Sequence, residues 1–186
     1  PVRPWGTAAD DAFLSLTPGE YAPGKSIDIS KEKLITHASK PLSSMISKSD
    51  SDDILLGYAL HIDQGIRAVA AKTIASKGKT DLAIKLLKSS DPRGRQAGLF
   101  TMTGGFKAKP MSSSKITPEM YELAAKMVAN TDESWWVKIW ALKALKEAPE
   151  SLLIKHVDTL IQHVSHEEWW VQSAAIESLT KLATHK

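Results

Sequence analysis

Two segments of the chain, DESWWVKIWALKAL at 132–145 and HEEWWVQSAAIESL at 166–179, are visibly related and lie 34 residues apart. Glu, Trp, Trp, Val, Ala and Leu recur at matching positions, and the segments before them, 116–130 and 149–164, are both amphipathic. Self-similarity at this period indicates a helix–turn–helix unit, which cannot bury its apolar face alone and therefore stacks on its neighbours.

Helix-start signals agree with this unit. Ser165 followed by Glu168 is typical of a capping box, and Thr131 is the matching N-cap one repeat earlier. Pro118 and Pro149 suit the first turns of the preceding helices, where a missing N–H costs nothing.

The pattern extends backwards into 63–74 and 91–102. Aligned second helices carry a small residue in their middle, which lets another helix approach closely. These small residues are Ala70, Gly98, Ala141 and Ala175. We therefore predict an all-α fold of about four helix pairs, in which 104–117 is a loop insertion expected to be flexible and basic.

These residues resemble the HEAT or HEAT-like, armadillo-type, helical repeat over about 52–184, and DPRGRQAG at 91–98 is the closest local match. The resemblance implies a right-handed α-solenoid whose ridges bind other macromolecules. The chain departs from the family in its uneven repeat spacing and in Gly94, where a Val is usual. The predicted organisation is an extended N-terminal arm at 1–30, a helical segment at 31–50 and a repeat array at 51–186.

Composition limits the class of protein. The 186 residues include no Cys, so disulfides, thiol catalysis and Cys-based zinc sites are excluded. No run of eighteen apolar residues and no signal peptide is visible. The chain starts without Met, and we expect it to be part of a longer or processed protein, whose compartment the sequence does not indicate.

GEYAPGKS at 19–26 fits the phosphate-binding loop of nucleotide hydrolases through Gly19, Gly24, Lys25 and Ser26. A working loop leads from a buried strand directly into a helix N-terminus. Here the next helix signal is Ser30, four residues too late, and no strand–helix alternation follows. We interpret the match as a chance one in an extended arm, and we predict no cofactor.

The charge of the chain is unevenly distributed. Residues 65–115 hold eleven Lys or Arg and two acids, so the formal charge of this segment is +9. The net charge of the whole chain is +3. This segment is either a face whose charges are offset by acidic neighbours or a patch for an anionic partner. The candidate partner-binding cations are Arg93, Arg95, Lys107 and Lys109.

Five of the six tryptophans lie in the repeated pair. Val137, Ala141 and Leu145 form the predicted core stripe of their helix. Trp136 and Trp170 occupy equivalent positions on another face, where they either close the groove between repeats or form an exposed aromatic ridge for a partner. Trp135, Ile139 and Leu142 form a second apolar stripe on nearly the opposite side of the helix that carries Val137. In the last helix the equivalent outer stripe is reduced to Trp169, Ser173, Ile176 and Thr180, as expected of a terminal repeat whose outer face meets water.

No catalytic constellation is visible. His156, His163 and His166 lack the spacing that would make three metal ligands converge, and carboxylate pairs at helix starts need no role beyond the helix dipole. We therefore predict no metal site and no catalytic residue.

Two functions remain open. The first is a non-catalytic interaction or scaffold module that binds a protein partner or docks to its parent chain. The second is nucleic-acid binding or DNA-base processing, because alkylpurine DNA glycosylases are also built from HEAT-like repeats, although none of their motif residues can be matched here. Clustering of Arg67, Arg93, Arg95, Lys107 and Lys109 beside Trp136 would favour the second, and pairing of these cations with acids would favour the first.

Overall fold

The computed structural model describes residues 40–105 and 108–184, and all regular secondary structure in these ranges is helical. The chain is helical over 40–48, which we name α1. The later helices are α2 (Asp52–Ala59), α3 (Gln64–Ser76), α4 (Thr80–Leu87), α5 (Pro92–Thr103), α6 (Pro118–Ala129), α7 (Trp135–Lys146), α8 (Glu150–Lys155), α9 (Val157–Gln162) and α10 (Trp169–Thr184). The all-α prediction is confirmed. The predicted arm at 1–30 and the phosphate-loop match at 19–26 lie outside the described residues.

Four helix pairs stack in chain order, and we number them repeats 1 to 4. They are α2 with α3, α4 with α5, α6 with α7, and α8–α9 with α10. The second helices pack in succession, α3 on α5, α5 on α7 and α7 on α10. This arrangement is the α-solenoid that the repeats predict, because each pair packs mainly against its neighbours.

The small residues in the second helices allow the close packing that the sequence predicts. Gly98 is buried, and a Cβ atom there would lie 2.8 Å from the backbone nitrogen of Leu87 on the paired helix. A Cβ atom at Gly94 would lie 2.6 Å from Ser89 Oγ and 2.9 Å from Leu60 Cδ2. The departure of Gly94 from the usual Val therefore has a packing reason, since a side chain would displace its neighbours.

The predicted core stripe of α7 is confirmed. Val137 and Ala141 are fully buried and Leu145 is 1% exposed. Leu142, on the second apolar stripe, is also fully buried, so α7 is sandwiched between neighbouring repeats.

The predicted N-caps of the two duplicated helices are wrong. The last helix begins at Trp169 rather than after Ser165, which instead closes a short 3-10 turn. His166 is extended, with ψ 146°, and its carbonyl oxygen is held by Gln172, so the chain cannot enter the helix there. One repeat earlier the N-cap is Ser134 and not Thr131.

The insertion at 104–117 is anchored in its described part, which differs from the expected flexible loop. Gly104 ends α5 with φ 80°, and a Cβ atom there would lie 2.2 Å from the carbonyl oxygen of Ala108. Met111 is 2% exposed, and its N–H donates to the carbonyl oxygen of Thr101 at 2.8 Å. The loop returns to the core because it carries an apolar side chain that can be buried there.

Candidate protein-interaction surface

Arg67 is almost completely buried at the start of α3, although it belongs to the basic segment. Its Nη1 donates to the carbonyl oxygens of His61 at 2.7 Å and Ile62 at 2.6 Å. Its Nε and Nη2 donate to Oε1 of Gln96, on the second helix of repeat 2, at 3.2 and 2.9 Å. The side chain thus holds the loop before its own helix and ties it to the next repeat.

Equivalent positions in later repeats make the same kind of contact. Arg95 donates to the carbonyl oxygens of Ser89 at 2.9 Å and Ser90 at 2.8 Å. Gln172 donates to the carbonyl oxygen of His166 at 2.6 Å. We call this recurring contact the loop clamp. The fourth residue of the second helix therefore has a structural role in repeats 1, 2 and 4.

Arg95 also forms a bidentate ion pair across repeats. Its Nε lies 2.6 Å from Oε2 of Glu133, and its Nη2 lies 2.8 Å from Oε1. The Glu133 side chain is 2% exposed and also accepts a hydrogen bond from the Ser134 N–H at 2.9 Å. The guanidinium is therefore committed to a buried carboxylate, and it links α5 to the loop before α7.

Arg93 donates hydrogen bonds to Asp91, the residue that caps its own helix. Asp91 caps α5 by accepting the Arg93 N–H at 2.8 Å, and Arg93 Nη2 lies 2.7 Å from Oδ2 of the same carboxylate. Hydrogen bonding from the Arg93 side chain is the main reason that the pKa of Asp91 is lowered, and the Arg67 charge contributes.

Several lysines of the basic segment also pair with acids from neighbouring elements. The pairs are Lys77 with Asp50, Lys79 with Asp52 and Lys88 with Glu119. Lys109 is exposed in the described part of the insertion, and Lys107 lies outside the described residues. Much of the positive charge seen in the sequence is thus offset by acids that the fold brings beside it.

A shallow cleft of about 270 Å³ lies between repeats 2 and 3. The Arg95–Glu133 pair is part of its lining, so these two charges already neutralise each other. This pair therefore adds no net charge to the cleft, which is also lined by Lys88 and Lys126.

The two candidate tryptophans differ in environment. Trp136 is half-buried and packs against the core, whereas its equivalent Trp170 is 42% exposed. Trp170 stacks on Trp169, with ring centroids 3.5 Å apart, and Trp169 is itself 50% exposed. Among the described residues, the exposed tryptophans therefore lie in the last repeat.

The outer side of α10 exposes apolar side chains where the preceding repeat buries them. Ile176 is 48% exposed, whereas its equivalent Leu142 in α7 is fully buried. Trp169 is similarly more exposed than Trp135, which is packed against the core. The outer stripe of the last helix meets solvent as predicted, but it retains two large apolar residues.

The first helices of repeat 4 add two more exposed apolar residues. Ile154 in α8 and Ile161 in α9 are 55% and 54% exposed. Lys155 and His156 face repeat 3, because they lie 2.6 and 3.2 Å from the Glu122 carboxylate. The two isoleucines belong to the same repeat as the exposed Trp169 and Ile176. We call Ile154, Ile161, Trp169 and Ile176 the terminal face.

The histidines of repeat 4 do not converge on one point. His163 is buried, and its Nδ1 lies 2.8 Å from the Thr159 carbonyl oxygen, to which it donates. His166 stacks on His163 with centroids 5.7 Å apart, and its Nδ1 accepts the Glu168 N–H at 3.0 Å. His156 is instead paired with Glu122. Within 40–105 and 108–184, no group of three or more His, Asp or Glu side chains is arranged to hold a metal ion.

The stability of repeat 4 is expected to decrease as the pH falls below 6.5. Burial, followed by the charges of Lys138 and His163, lowers the pKa of His166 from its ordinary value of 6.5, against a smaller opposite effect of Glu167 and Glu168. The unfolded chain therefore binds a proton more readily than the folded chain, so stability is full above pH 6.5 and is lost as the pH falls toward the lowered pKa.

Thermal unfolding between about pH 8 and about pH 5 measures this effect in the unmodified chain and in His166→Gln. At the highest pH, the difference between the two thermal midpoints reports the loss of the hydrogen bond from the Glu168 N–H. The difference between the two slopes of thermal midpoint against pH reports the titration of His166. An identical slope in both proteins would show that His166 does not contribute to the pH dependence.

The sequence led to part of this surface. The sequence indicates Trp170 as a candidate and places Trp169 and Ile176 in the outer stripe of the last helix, but it does not single out Ile154 and Ile161. Their seven-residue spacing was the available signal, and it was hidden because Leu153 and Leu160 beside them have the same spacing and are buried. In the part of the chain that the structure describes, every helix is too short or too polar to cross a membrane.

Comparison with known families identifies the repeat. Residues 123–186 match the family model of HEAT repeats, from within α6 through α10. A comparison with curated proteins found no match. HEAT repeats generally mediate protein interactions or scaffolding. The helix pairs of 52–103 lie before the match and continue the same stacking. The C-terminal third of the chain therefore carries the sequence pattern of HEAT repeats, and the described helix pairs stack as an all-α solenoid.

Proposed function

We propose that this chain is a non-catalytic protein-interaction module, which binds a protein partner or docks to the remainder of a longer parent chain. The carrying observation is the distribution of exposed apolar side chains. Of the eight large hydrophobic residues that are exposed in the described ranges, five lie within 150–184. Exposed apolar side chains concentrated in one repeat favour a protein partner, because their burial is the main source of binding free energy.

The state of the basic segment supports a protein partner over nucleic acid. Nucleic-acid affinity comes largely from cations that replace the counterions of phosphates. Arg95 is committed to Glu133 and Arg93 to Asp91, and Arg67 is buried. These three arginines would have to break internal contacts before they could bind a phosphate, which raises the free-energy cost of that alternative.

Partner capture with the terminal face altered tests the proposal. The intact chain is used as bait in three forms, which are the unmodified protein, Trp169→Ser/Ile176→Ser, and the control Met45→Ser/Ile54→Ser. The control residues are 49% and 43% exposed and lie at the other end of the array. We expect the first variant to weaken capture of its main partner by about tenfold or more and the control to change it little.

Circular dichroism verifies that all three proteins are folded, and fluorescent single- and double-stranded DNA is titrated in parallel across a salt series. DNA binding that falls steeply with salt and disappears in Lys107→Ala/Lys109→Ala would replace this proposal with the nucleic-acid function. Capture that is unaffected by the terminal-face substitutions would also contradict it.

A further inference from the structure

We propose that the cleft between repeats 2 and 3 binds an acidic segment of a partner protein, in which a carboxylate side chain stands next to an apolar one. This site is separate from the terminal face and therefore goes beyond the proposed function. Its lining combines a lysine from each repeat with apolar side chains and with hydrogen-bond donors that remain open. Each of these features favours such a segment.

Two lysines bring positive charge to the cleft, one from each repeat. Lys88 directly follows α4, and Lys126 lies in α6. Both are exposed, and the Lys126 ammonium forms no ion pair within 40–105 and 108–184. Lys88 Nζ lies 2.7 Å from Glu119, but both side chains are more than half exposed, so this pair contributes little and can exchange for a carboxylate of a ligand.

The uncharged polar side chains of the lining add donors rather than acceptors. Among the described residues that line the cleft, Glu133 is the one carboxylate, and both its oxygens are occupied by Arg95. Asn130 Oδ1 accepts the N–H of Asp132 at 3.1 Å, which leaves the amide nitrogen of Asn130 open as a donor. Ser89 Oγ also accepts a backbone N–H and can still donate its own hydrogen. An ionised carboxylate matches this set, because it only accepts hydrogen bonds.

Apolar side chains form the rest of the lining. Leu87 and Met127 are buried, and Leu123 is half-buried. An apolar side chain beside the carboxylate of the ligand would remove Leu123 from water while the carboxylate meets the lysines. The cleft volume of about 270 Å³ lies below the roughly 300–1,000 Å³ of small-molecule sites, so a peptide that continues past the cleft gains more contact than a free carboxylic acid.

Nucleic-acid phosphates fit the cleft less well than an acidic peptide. Their affinity depends on several cations that release counterions, whereas this cleft offers two lysines and an arginine that is already paired with Glu133. The apolar part of the lining adds nothing to a phosphate contact. A peptide with carboxylate and apolar side chains uses both parts of the cleft.

Fluorescence polarisation with a defined peptide tests this inference on the full chain. The probe is a short fluorescein-labelled peptide in which Glu alternates with Leu. It is titrated with the unmodified protein, with Lys88→Gln/Lys126→Gln, and with the control Lys48→Gln/Lys72→Gln, which removes the same charge from exposed positions outside the cleft. We expect the cleft variant to bind about fivefold or more weakly than the unmodified protein, and the control to change Kd by less than about twofold.

A neutral peptide with Gln in place of each Glu shows which charges meet. It should bind the unmodified protein and the cleft variant with the same affinity, because the carboxylates that contact the lysines are already absent. Equal weakening of the acidic peptide by the cleft and control variants, or no binding of that peptide at low salt, would overturn the inference. A single-stranded oligothymidylate that binds instead of the peptide and depends on the same lysines would also overturn it, because the cleft would then be a phosphate site.

The cleft and the terminal face can be tested separately. Trp169→Ser/Ile176→Ser should bind the acidic peptide as the unmodified chain does, because both residues lie in repeat 4. If the cleft lysines have no effect on the peptide while partner capture depends on the terminal face, only the cleft inference is lost. If the peptide depends on the lysines but capture does not depend on the terminal face, the cleft site stands and the proposed use of the terminal face is contradicted.

Discussion

Replacement of Arg67 by methionine is expected to lower the free energy of unfolding by about 3–5 kcal/mol. Methionine fills much of the space of the arginine stem but cannot donate a hydrogen bond. The carbonyl oxygens of His61 and Ile62 and the Oε1 atom of Gln96 would each lose a donor in a site where Arg67 is 1% exposed and Gln96 is equally buried. Unsatisfied buried polar groups cost more than the hydrogen bonds contribute when formed.

Urea-induced unfolding followed by circular dichroism measures this difference. Lys85→Met is the matched control, because it removes a positive charge from an exposed position of the same basic segment. The control is expected to change stability by no more than about 0.5 kcal/mol. A loss below about 1 kcal/mol in Arg67→Met would mean that the loop clamp is not a structural support.

Replacement of Trp140 by alanine is expected to cost about 3–5 kcal/mol, because it leaves a large cavity between repeats 2 and 3. Trp140 is 8% exposed and meets Phe100 of α5 edge to face, with ring centroids 4.7 Å apart and planes at 81°. Lys143 Nζ lies 4.5 Å from the Trp140 ring and adds a cation–π contact. This side chain therefore carries much of the packing between α5 and α7.

Trp170→Ala is the matched control for this substitution, since it removes the same side chain from the surface of repeat 4. Trp170 is 42% exposed, and its loss is expected to cost about 1 kcal/mol or less. Equal destabilisation by the two substitutions, in the same urea experiment, would show that Trp170 is as important for packing as Trp140. That outcome would also weaken the assignment of the exposed aromatic pair to partner binding.

The repeat architecture was accessible from the sequence because it depends on local patterns. Helical spacing of apolar residues predicted the buried stripe of Val137, Ala141 and Leu145, and small residues at Gly98 and its equivalents predicted close helix contacts. These features are encoded within a single helix, so the fold of neighbouring elements does not change them. Helix starts were less accessible, since His166 is extended and its carbonyl oxygen accepts a hydrogen bond from Gln172, six residues later in the chain.

The roles of the charged side chains were not accessible in the same way. Arg95 pairs with Glu133, which is 38 residues away in sequence, and Arg67 bonds Gln96, which is 29 residues away. A count of charges in a segment includes none of these partners. The sequence left open whether acids offset the basic segment, and the fold brings acidic partners to several of its cations.

The sequence by itself determined that this chain forms stacked helix pairs, because a duplicated amphipathic unit has to bury its apolar stripe against another copy. Only the tertiary structure decided which copies are covered. Leu142 and Ile176 occupy the same position in the repeat. Within the described residues, the helix of the following repeat covers Leu142, whereas Ile176 is exposed. Burial depends on the neighbour in space rather than on the residue, and for this reason the terminal face emerged only from the assembled array.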